Sequence, residues 1–192
     1  MIAPDQITLG ILAGGRATRL GGADKAWLQR GGIEQTTRWR DRFTGEVGAM
    51  LISANRQLER CALAGLKPVP DRVAGNVGPL AGLDALADAC RTAWLLTIPV
   101  DLVEIEPHLL HGLIEAAHSD GACARDEDGL QPLIALWRVD ALRAAVAAAL
   151  AADELAVQAL YRRLDIAQVH FRMRFGNLNT PADLSAAGFA LE

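Results

Sequence analysis

The chain has 192 residues, a net charge of −4, 51% hydrophobic residues and 22% charged residues. This length and composition predict a single folded domain over residues 1–192 with a substantial apolar core. The negative net charge argues against a dedicated nucleic-acid binder, so local cations must hold any anionic ligand. The three cysteines have neither a zinc-ligand spacing nor the even number of a disulfide framework.

The sequence also lacks membrane and export signals. No apolar run approaches the roughly 20 residues that span a bilayer. The N-terminal region has no basic segment, and the apolar run Ile7–Leu12 is too short for a secretory signal. We therefore expect a cytoplasmic protein that does not associate with membranes.

Strand-like and helix-like segments alternate along the chain. This alternation of apolar strands with helices predicts an α/β fold of three layers, with a mostly parallel central sheet and helices on both faces. The predicted strands are Ile7–Leu12, Gly48–Ser53, 67–70, Ala93–Ile98, 121–125, Pro132–Trp137 and 164–170. The predicted helices are Gln35–Phe43, Pro79–Cys90, Pro107–His118, Asp140–Ala151, Glu154–Arg163 and Pro181–Ala187.

A glycine-rich, cationic segment follows the first predicted strand. Residues 12–15 read LAGG, and Arg19, a second glycine pair at 21–22 and Lys25 follow. Adjacent glycines let the backbone adopt positive φ and approach a ligand closely, while arginine and lysine supply cations for anionic oxygens. Ligands of α/β sheets bind outside the carboxyl ends of the strands, so this segment predicts a nucleoside triphosphate site.

Two familiar phosphate-binding loops do not match this segment. A Walker A loop needs Gly before its lysine and Ser or Thr after it, whereas Lys25 lies between Asp24 and Ala26. The dinucleotide fingerprint G-x-G-x-x-G is absent because Gly14 and Gly15 are adjacent.

Polar residues after three later strands are further candidates. Asn55 follows the second strand, and Asp101 follows the strand that ends before Pro99. Asn55 suits a base or ribose edge because it donates and accepts, but it equally suits a helix N-cap. The Asp101 carboxylate suits Mg²⁺, which takes one or two carboxylates with phosphate oxygens and water; the alternative is a helix or turn cap. Asp71 follows the short third strand and is also a candidate; the alternative interpretation is an ordinary turn residue.

Several motifs, in order, resemble the MobA-like nucleotidyltransferase family, specifically the molybdenum cofactor guanylyltransferases. The first is LAGG-x-x-x-R-(M/L)-G-G-x-DK at residues 12–25. SANR at 53–56, an Asp before GPLAGL at 78–83, T-x-P-x-D at 97–101 and N-x-N-T-P-x-D-L at 177–184 also resemble family segments. Two positions depart from the family pattern. Val100 stands where the family often has Cys or Gly, and Val103 stands where it often has Pro.

The resemblance implies a set of site residues. It implies catalytic roles for Arg19, Lys25 and Asp101, and Mg²⁺ coordination by Asp101 and Asn179. It implies GTP or phosphate contacts from Leu12, Ala13, Gly14, Gly15, Lys25, Asn55, Asp71, Gly78, Asp101, Asn177 and Asn179. Gly129, Gln131 and Pro132 are acceptor-side candidates, while Asp126, Glu127 and Asp128 are interpreted as an acidic turn between strands.

The resemblance implies a Rossmann-like nucleotidyltransferase that moves GMP from GTP to molybdenum-bearing molybdopterin. Pyrophosphate leaves, and the product is the guanine dinucleotide form of the cofactor. Guanine is supported by LAGG, since the sister cytidylyltransferases typically carry LAAG. The implied partners are GTP, molybdopterin and, transiently, proteins that deliver the cofactor or mature molybdoenzymes. We expect a monomer.

Two alternatives stay open. One is another enzyme of the same fold, a molybdenum cofactor cytidylyltransferase or a sugar-1-phosphate nucleotidyltransferase. The other is a non-catalytic adaptor that binds the nucleotide or the cofactor, against which the presence of Lys25 and Asp101 argues. A panel of nucleoside triphosphates and acceptors distinguishes the enzymes.

Overall fold

A computed structural model describes residues 2–13, 24–73, 75 and 77–190. Ten strands lie within these ranges: β1 (Ile7–Leu12), β2 (Gln29–Arg30), β3 (Ile33–Glu34), β4 (Ala49–Ser53), β5 (Lys67–Val69), β6 (Trp94–Pro99), β7 (Gly121–Asp126), β8 (Gly129–Arg138), β9 (Ile166–His170) and β10 (Phe189–Ala190). The α-helices are α1 (Gln35–Phe43), α2 (Leu58–Leu63), α3 (Pro79–Ala89), α4 (Leu109–Ala116), α5 (Val139–Ala151) and α6 (Pro181–Ala186).

Seven strands form the central sheet, in the order β5-β4-β1-β6-β8-β7-β9. Only β8 runs antiparallel to its neighbours β6 and β7, and the other strand pairs of this sheet are parallel. A second sheet of three short strands has the order β10-β2-β3. The mostly parallel central sheet predicted from the sequence is therefore confirmed.

Helices cover both faces of the central sheet. Successive strand side chains point to opposite faces. On one face, Leu9 of β1 packs in a cluster with Trp39 of α1 and Leu109 of α4. On the other face, Leu95 of β6 packs in a cluster that also holds residues of α3 and α5, such as Leu83. These two apolar clusters give the three layers that the alternating pattern predicts.

The β7–β8 hairpin is longer than predicted because a bulge absorbs a proline. Pro132 has no N–H to donate to a strand ladder. The pairing register shifts at this point: Cys123 pairs with Ala135, but the next residue of β7, Ala124, pairs with Gln131. The bulge lets β8 continue past Pro132 to Gly129.

The predicted helix over Glu154–Arg163 is wrong. Helix α5 ends where Asp153 adopts a positive φ of 55°, and the Glu154 N–H donates back to the Ala149 carbonyl. The chain therefore cannot resume helical geometry at Glu154, and only a 3₁₀ turn forms, over Val157–Arg162.

In the described part of the chain, no helix is long and apolar enough to cross a membrane.

The sheet order brings the carboxyl ends of β5, β4, β1 and β6 to one edge, side by side. Helix α3 lies very close to this edge at Gly82. A Cβ atom at Gly82 would lie 2.8 Å from Ser53 Oγ and 2.9 Å from Leu12 Cδ2. The absence of a side chain at Gly82 therefore lets the helix pack against the ends of β1 and β4.

Candidate active site

Two groups of polar side chains lie at this carboxyl edge. The first, the lysine group, consists of Lys25, Asp101 and Asn179. The second, the Asn–Asp pair, consists of Asn55 and Asp71. All five were candidates from the sequence.

The lysine group joins three distant parts of the chain through one ammonium. Lys25 Nζ donates to Asp101 Oδ2 at 2.7 Å and to Asn179 Oδ1 at 2.8 Å. The side chains of Lys25 and Asp101 keep 20% and 22% of their exposure. A carboxylate and an amide oxygen therefore converge on one positive charge at a partly shielded position that solvent still reaches.

Lys25 is positioned by a short, anchored turn. It begins a 3₁₀ turn, Lys25–Trp27, whose N-cap is Asp24, and Asp24 Oδ1 accepts from the Ala26 N–H at 3.1 Å. The Trp27 ring is buried, and the Arg60 guanidinium lies 4.3 Å from the ring centroid. The capped and buried turn orients Lys25 towards the sheet edge.

Asp101 is positioned by the residues around it. It lies in the turn after β6, where three consecutive carbonyls each accept a hydrogen bond from a distant donor. These bonds are Trp39 Nε1 to Val100 O at 3.0 Å, the Leu178 N–H to Asp101 O at 2.8 Å and Gln35 Nε2 to Leu102 O at 2.5 Å. Among the described residues, Asp101 caps no helix, and its backbone is held from both sides.

Sequence reasoning missed Gln35 and Trp39 as residues that position Asp101. They lie four residues apart and so on one face of α1. Both side chains are buried although each carries a polar group. A glutamine one turn before a tryptophan on the same helix is the local signal that the sequence offers for them.

Asn179 is positioned by the start of α6. Asn177 bridges antiparallel to Leu102, which brings the segment alongside the Asp101 turn. Asp183 Oδ2 then accepts from the Asn179 N–H at 3.1 Å and the Thr180 N–H at 2.8 Å. Hydrogen bonding to Thr180, mainly through its side chain and also through its backbone, lowers the pKa of Asp183. Helix α6 begins at Pro181 as predicted, with Thr180 as its N-cap.

The Asn–Asp pair is a reciprocal hydrogen-bonded unit. Asn55 Nδ2 donates to Asp71 Oδ2 at 2.7 Å, and the Asp71 N–H donates to Asn55 Oδ1 at 2.9 Å. The N-cap alternative for Asn55 is wrong: α2 begins at Leu58, and its N-cap is Gln57 in the left-handed region. The amide of Asn55 instead fixes the Asp71 carboxylate at the ends of β4 and β5.

The remaining predicted residues are placed as follows. Leu12 ends β1 and Ala13 follows it; the Ala13 N–H donates to Ser53 O, and Leu12 O accepts from the Val100 N–H. Gly78 is the N-cap of α3 with φ 66°, directly before Pro79. Within the described residues, no hydrogen bond joins Gly78 or the Asn177 side chain to either group. Gly14, Gly15 and Arg19 lie outside the described residues.

The donor set of the lysine group fits the metal that the sequence resemblance implies. Asp101 Oδ2 and Asn179 Oδ1 already face one cation, the Lys25 ammonium, at 2.7 and 2.8 Å. Both are hard oxygen donors, and Mg²⁺ is bound by one or two such protein ligands together with phosphate oxygens and water. These two residues could therefore hold Mg²⁺ once the ammonium is drawn aside.

The fold is that of the nucleotidyltransferase class. It is shared with the molybdopterin-guanine dinucleotide biosynthesis protein A of Archaeoglobus fulgidus, at a TM-score of 0.72 and 18% identity, over 94% of this chain and 96% of that one. It is also shared with the 2-C-methyl-D-erythritol 4-phosphate cytidylyltransferase of Thermus thermophilus, at a TM-score of 0.67 and 18% identity, over 93% and 96%.

Sequence similarity defines the family. Residues 9–169 match the MobA-like NTP transferase domain. A molybdenum cofactor guanylyltransferase of Cupriavidus taiwanensis is 34% identical over 97% of this chain and 98% of its own length. One from Burkholderia vietnamiensis is 38% identical over 92% of both chains. The chain belongs to the MobA-like NTP transferase family.

Proposed function

We propose that this chain transfers GMP from GTP to molybdenum-bearing molybdopterin, releasing pyrophosphate and forming molybdopterin guanine dinucleotide. The relatives named as guanylyltransferases align over nearly its whole length. The observation that carries the proposal is the convergence of Lys25, Asp101 and Asn179 at the carboxyl edge of the sheet. A triphosphate needs cationic and metal-binding groups together, and this edge supplies both.

The Asn–Asp pair is the proposed nucleoside side of the site. Asn55 holds one oxygen of the Asp71 carboxylate at 2.7 Å, and the Ser53 hydroxyl lies 3.4 Å from the other. A fixed carboxylate offers its remaining lone pairs to N–H or O–H donors of the guanine or the ribose. Gly78, the N-cap of α3, has open space around it, since a Cβ atom there would meet nothing within 4 Å.

The lysine group and the glycine-rich segment are the proposed triphosphate side. The Leu12–Gly15 backbone with Arg19 and Lys25 would hold the phosphates, and Asp101 with Asn179 would hold Mg²⁺. When bound, the metal would neutralise charge on the phosphate oxygens. The Lys25 ammonium would leave its two present acceptors for a phosphate oxygen. Its role is then positioning and charge neutralisation at the leaving group.

The acceptor needs no general base from the protein. A phosphate monoester has its second pKa near 6, so it is largely dianionic at neutral pH and can attack the α-phosphorus directly. We place the acceptor beside the β7–β8 turn, at Gly129, Gln131 and Pro132. The free, buried thiols of Cys61, Cys90 and Cys123 suit a reducing compartment, which supports a cytoplasmic location.

Calorimetric titration with GTP, CTP, ATP and UTP, each with Mg²⁺, tests the nucleotide choice. We expect selective binding of GTP. Preference for CTP would indicate a molybdenum cofactor cytidylyltransferase, and preference for another nucleotide would indicate a sugar-1-phosphate nucleotidyltransferase. Binding of none of the four would favour the non-catalytic adaptor.

Replacing Asp71 by asparagine is expected to raise the Kd for GTP by about 10- to 100-fold, because a hydrogen bond to a charged acceptor contributes about 1.5–3 kcal/mol. Asp140→Asn, at the exposed start of α5, is the matched control and should leave the Kd unchanged. Both are measured by calorimetry. An unchanged Kd in Asp71→Asn would remove Asp71 from the nucleoside site.

A further inference from the structure

Asp126 is a buried carboxylate outside both groups of the candidate site. It ends β7 and is 2% exposed, whereas the acidic-turn interpretation expects a solvated side chain. Among the described residues it is the one buried acidic side chain, and none of their ion pairs involves it. A buried carboxylate is stable only when its oxygens are fully hydrogen-bonded.

Its two oxygens bind different segments. Asp126 Oδ1 accepts from the Asp128 N–H in the β7–β8 turn at 3.0 Å and from Gln131 Nε2, near the start of β8, at 2.9 Å. Asp126 Oδ2 accepts from the buried N–H of Phe175 at 3.1 Å. One carboxylate therefore holds the turn with one oxygen and the segment before α6 with the other.

The segment on the Oδ2 side leads directly to the lysine group. The carbonyl of Phe175 accepts from the Glu104 N–H at 3.3 Å, and the Leu178 N–H donates to Asp101 O at 2.8 Å. Asn179, which contacts Lys25, is four residues after Phe175. The Phe175 ring is fully buried. A shift of this segment would therefore move Asn179 relative to Asp101.

The turn on the Oδ1 side carries the acceptor-side candidates. Gln131 binds Asp126 directly, and the next residue, Pro132, has its carbonyl bound by the Tyr161 hydroxyl at 2.9 Å. Burial raises the pKa of Tyr161, so this phenol stays protonated as the donor. The turn is thus fixed at two adjacent residues, and one of the two contacts is Asp126.

We propose that Asp126 is a positioning residue that couples the acceptor-side turn, Asp126–Pro132, to the segment Phe175–Asn179 that presents Asn179 to the cation site. The geometry places one oxygen of a single rigid group on each segment, so neither segment moves independently of the other. The functional names of the two segments rest on the proposed function; the mechanical coupling between them does not.

The first test measures amide hydrogen exchange at the N–H groups that the two Asp126 oxygens bind, and it needs no substrate. In Asp126→Asn, an amide group that cannot accept replaces one oxygen, so either the Phe175 N–H or the Asp128 N–H loses its acceptor. We expect protection of one of these two amides to fall by about tenfold or more, as for the loss of a hydrogen bond to a charged acceptor. Glu127→Gln is the matched control: Glu127 is exposed in the same turn, and protection at Phe175 should not change.

A double variant tests the geometry itself. Asp126→Asn combined with Gln131→Glu lets the new amide donate to the new carboxylate at position 131 while its oxygen accepts from Phe175. We expect Phe175 protection in the double variant to lie within about threefold of the parent. If Asp126→Asn does not fold, the double variant decides: a folded protein with a protected Phe175 amide supports the coupling, and an unfolded one overturns it.

Functional readouts then connect the coupling to the reaction. In Asp126→Asn we expect a higher KM for the acceptor and a lower kcat, each by about tenfold, with the Kd for GTP in EDTA unchanged. The double variant should restore both kinetic parameters. Unchanged exchange at both the Phe175 and Asp128 amides, or lost exchange protection with unchanged kinetics, would overturn the positioning role. Wild-type protein that shows the coupling but transfers no GMP would refute the proposed function alone.

Discussion

Asp101→Asn is expected to lower the rate of guanylyl transfer by about 10²–10³-fold, the usual effect of removing one electrostatic contact from a transition state. The substitution keeps the size of the side chain and leaves the backbone hydrogen bonds of residues 100–102 in place. It removes the negative charge that faces the cation position shared with Asn179. The measurement is steady-state pyrophosphate release with GTP, Mg²⁺ and acceptor.

The control for this variant is Asp41→Asn, an exposed position on α1 whose activity should equal that of the parent. Circular dichroism and thermal unfolding should show that both variants are folded. Parental activity in folded Asp101→Asn would contradict a metal-holding role for Asp101. The account of the lysine group would then reduce to a structural ion pair.

Lys25→Met is expected to change nucleotide and metal binding in opposite directions. The Kd for GTP should rise by about tenfold or more because a charge-assisted contact to phosphate is lost. The Kd for Mn²⁺ in the absence of nucleotide should fall, since the Lys25 ammonium no longer contacts Asp101 Oδ2 and Asn179 Oδ1. Calorimetry with GTP in EDTA and Mn²⁺ titration followed by electron paramagnetic resonance measure the two effects.

Opposite signs distinguish this result from unfolding, which would weaken both ligands. Lys67→Met is a matched control because Lys67 is exposed on β5 and outside the lysine group, so both affinities should stay at the parental values. Unchanged GTP affinity in Lys25→Met would reject the phosphate role. Unchanged Mn²⁺ affinity would reject the competition between the ammonium and the metal.

The convergence of Lys25 and Asp101 was predictable from topology, because each follows a strand whose carboxyl end lies at the same edge of the sheet. Asn179 was assigned to the site only by the resemblance of residues 177–184 to a family segment. The same rule placed Asn55 near Asp71. The topology rule did not predict the direct contacts of Lys25 with Asp101 and Asn179. These contacts depend on side-chain geometry in segments that are far apart in the sequence.

The supporting residues were not predictable for a related reason. Gln35, Trp39 and Asp126 act through hydrogen bonds to backbone atoms 49 to 67 residues away. Any backbone carbonyl or N–H can be such a partner, so the partner sequence carries no signal. Asp126 looked like an ordinary acidic turn residue because its burial depends on where Phe175 lies.

Two parts of the fold were missed because their local patterns are weak. Helix α2 has six residues, a left-handed N-cap at Gln57, and exposed Leu58 and Leu63 where an amphipathic pattern expects polar residues. The three-stranded sheet consists of two-residue strands, and β10 reaches β2 from the other end of the chain. Such pairings arise from tertiary contacts, which a window of local sequence does not contain.

The most direct test of the central claim is product analysis after incubation of the chain with Mg²⁺, molybdenum-bearing molybdopterin and either GTP or CTP, under anaerobic conditions. The account predicts equimolar pyrophosphate and molybdopterin guanine dinucleotide with GTP, and little product with CTP. Formation of the cytosine dinucleotide instead, or binding of GTP without any pyrophosphate release in the presence of acceptor, would contradict it.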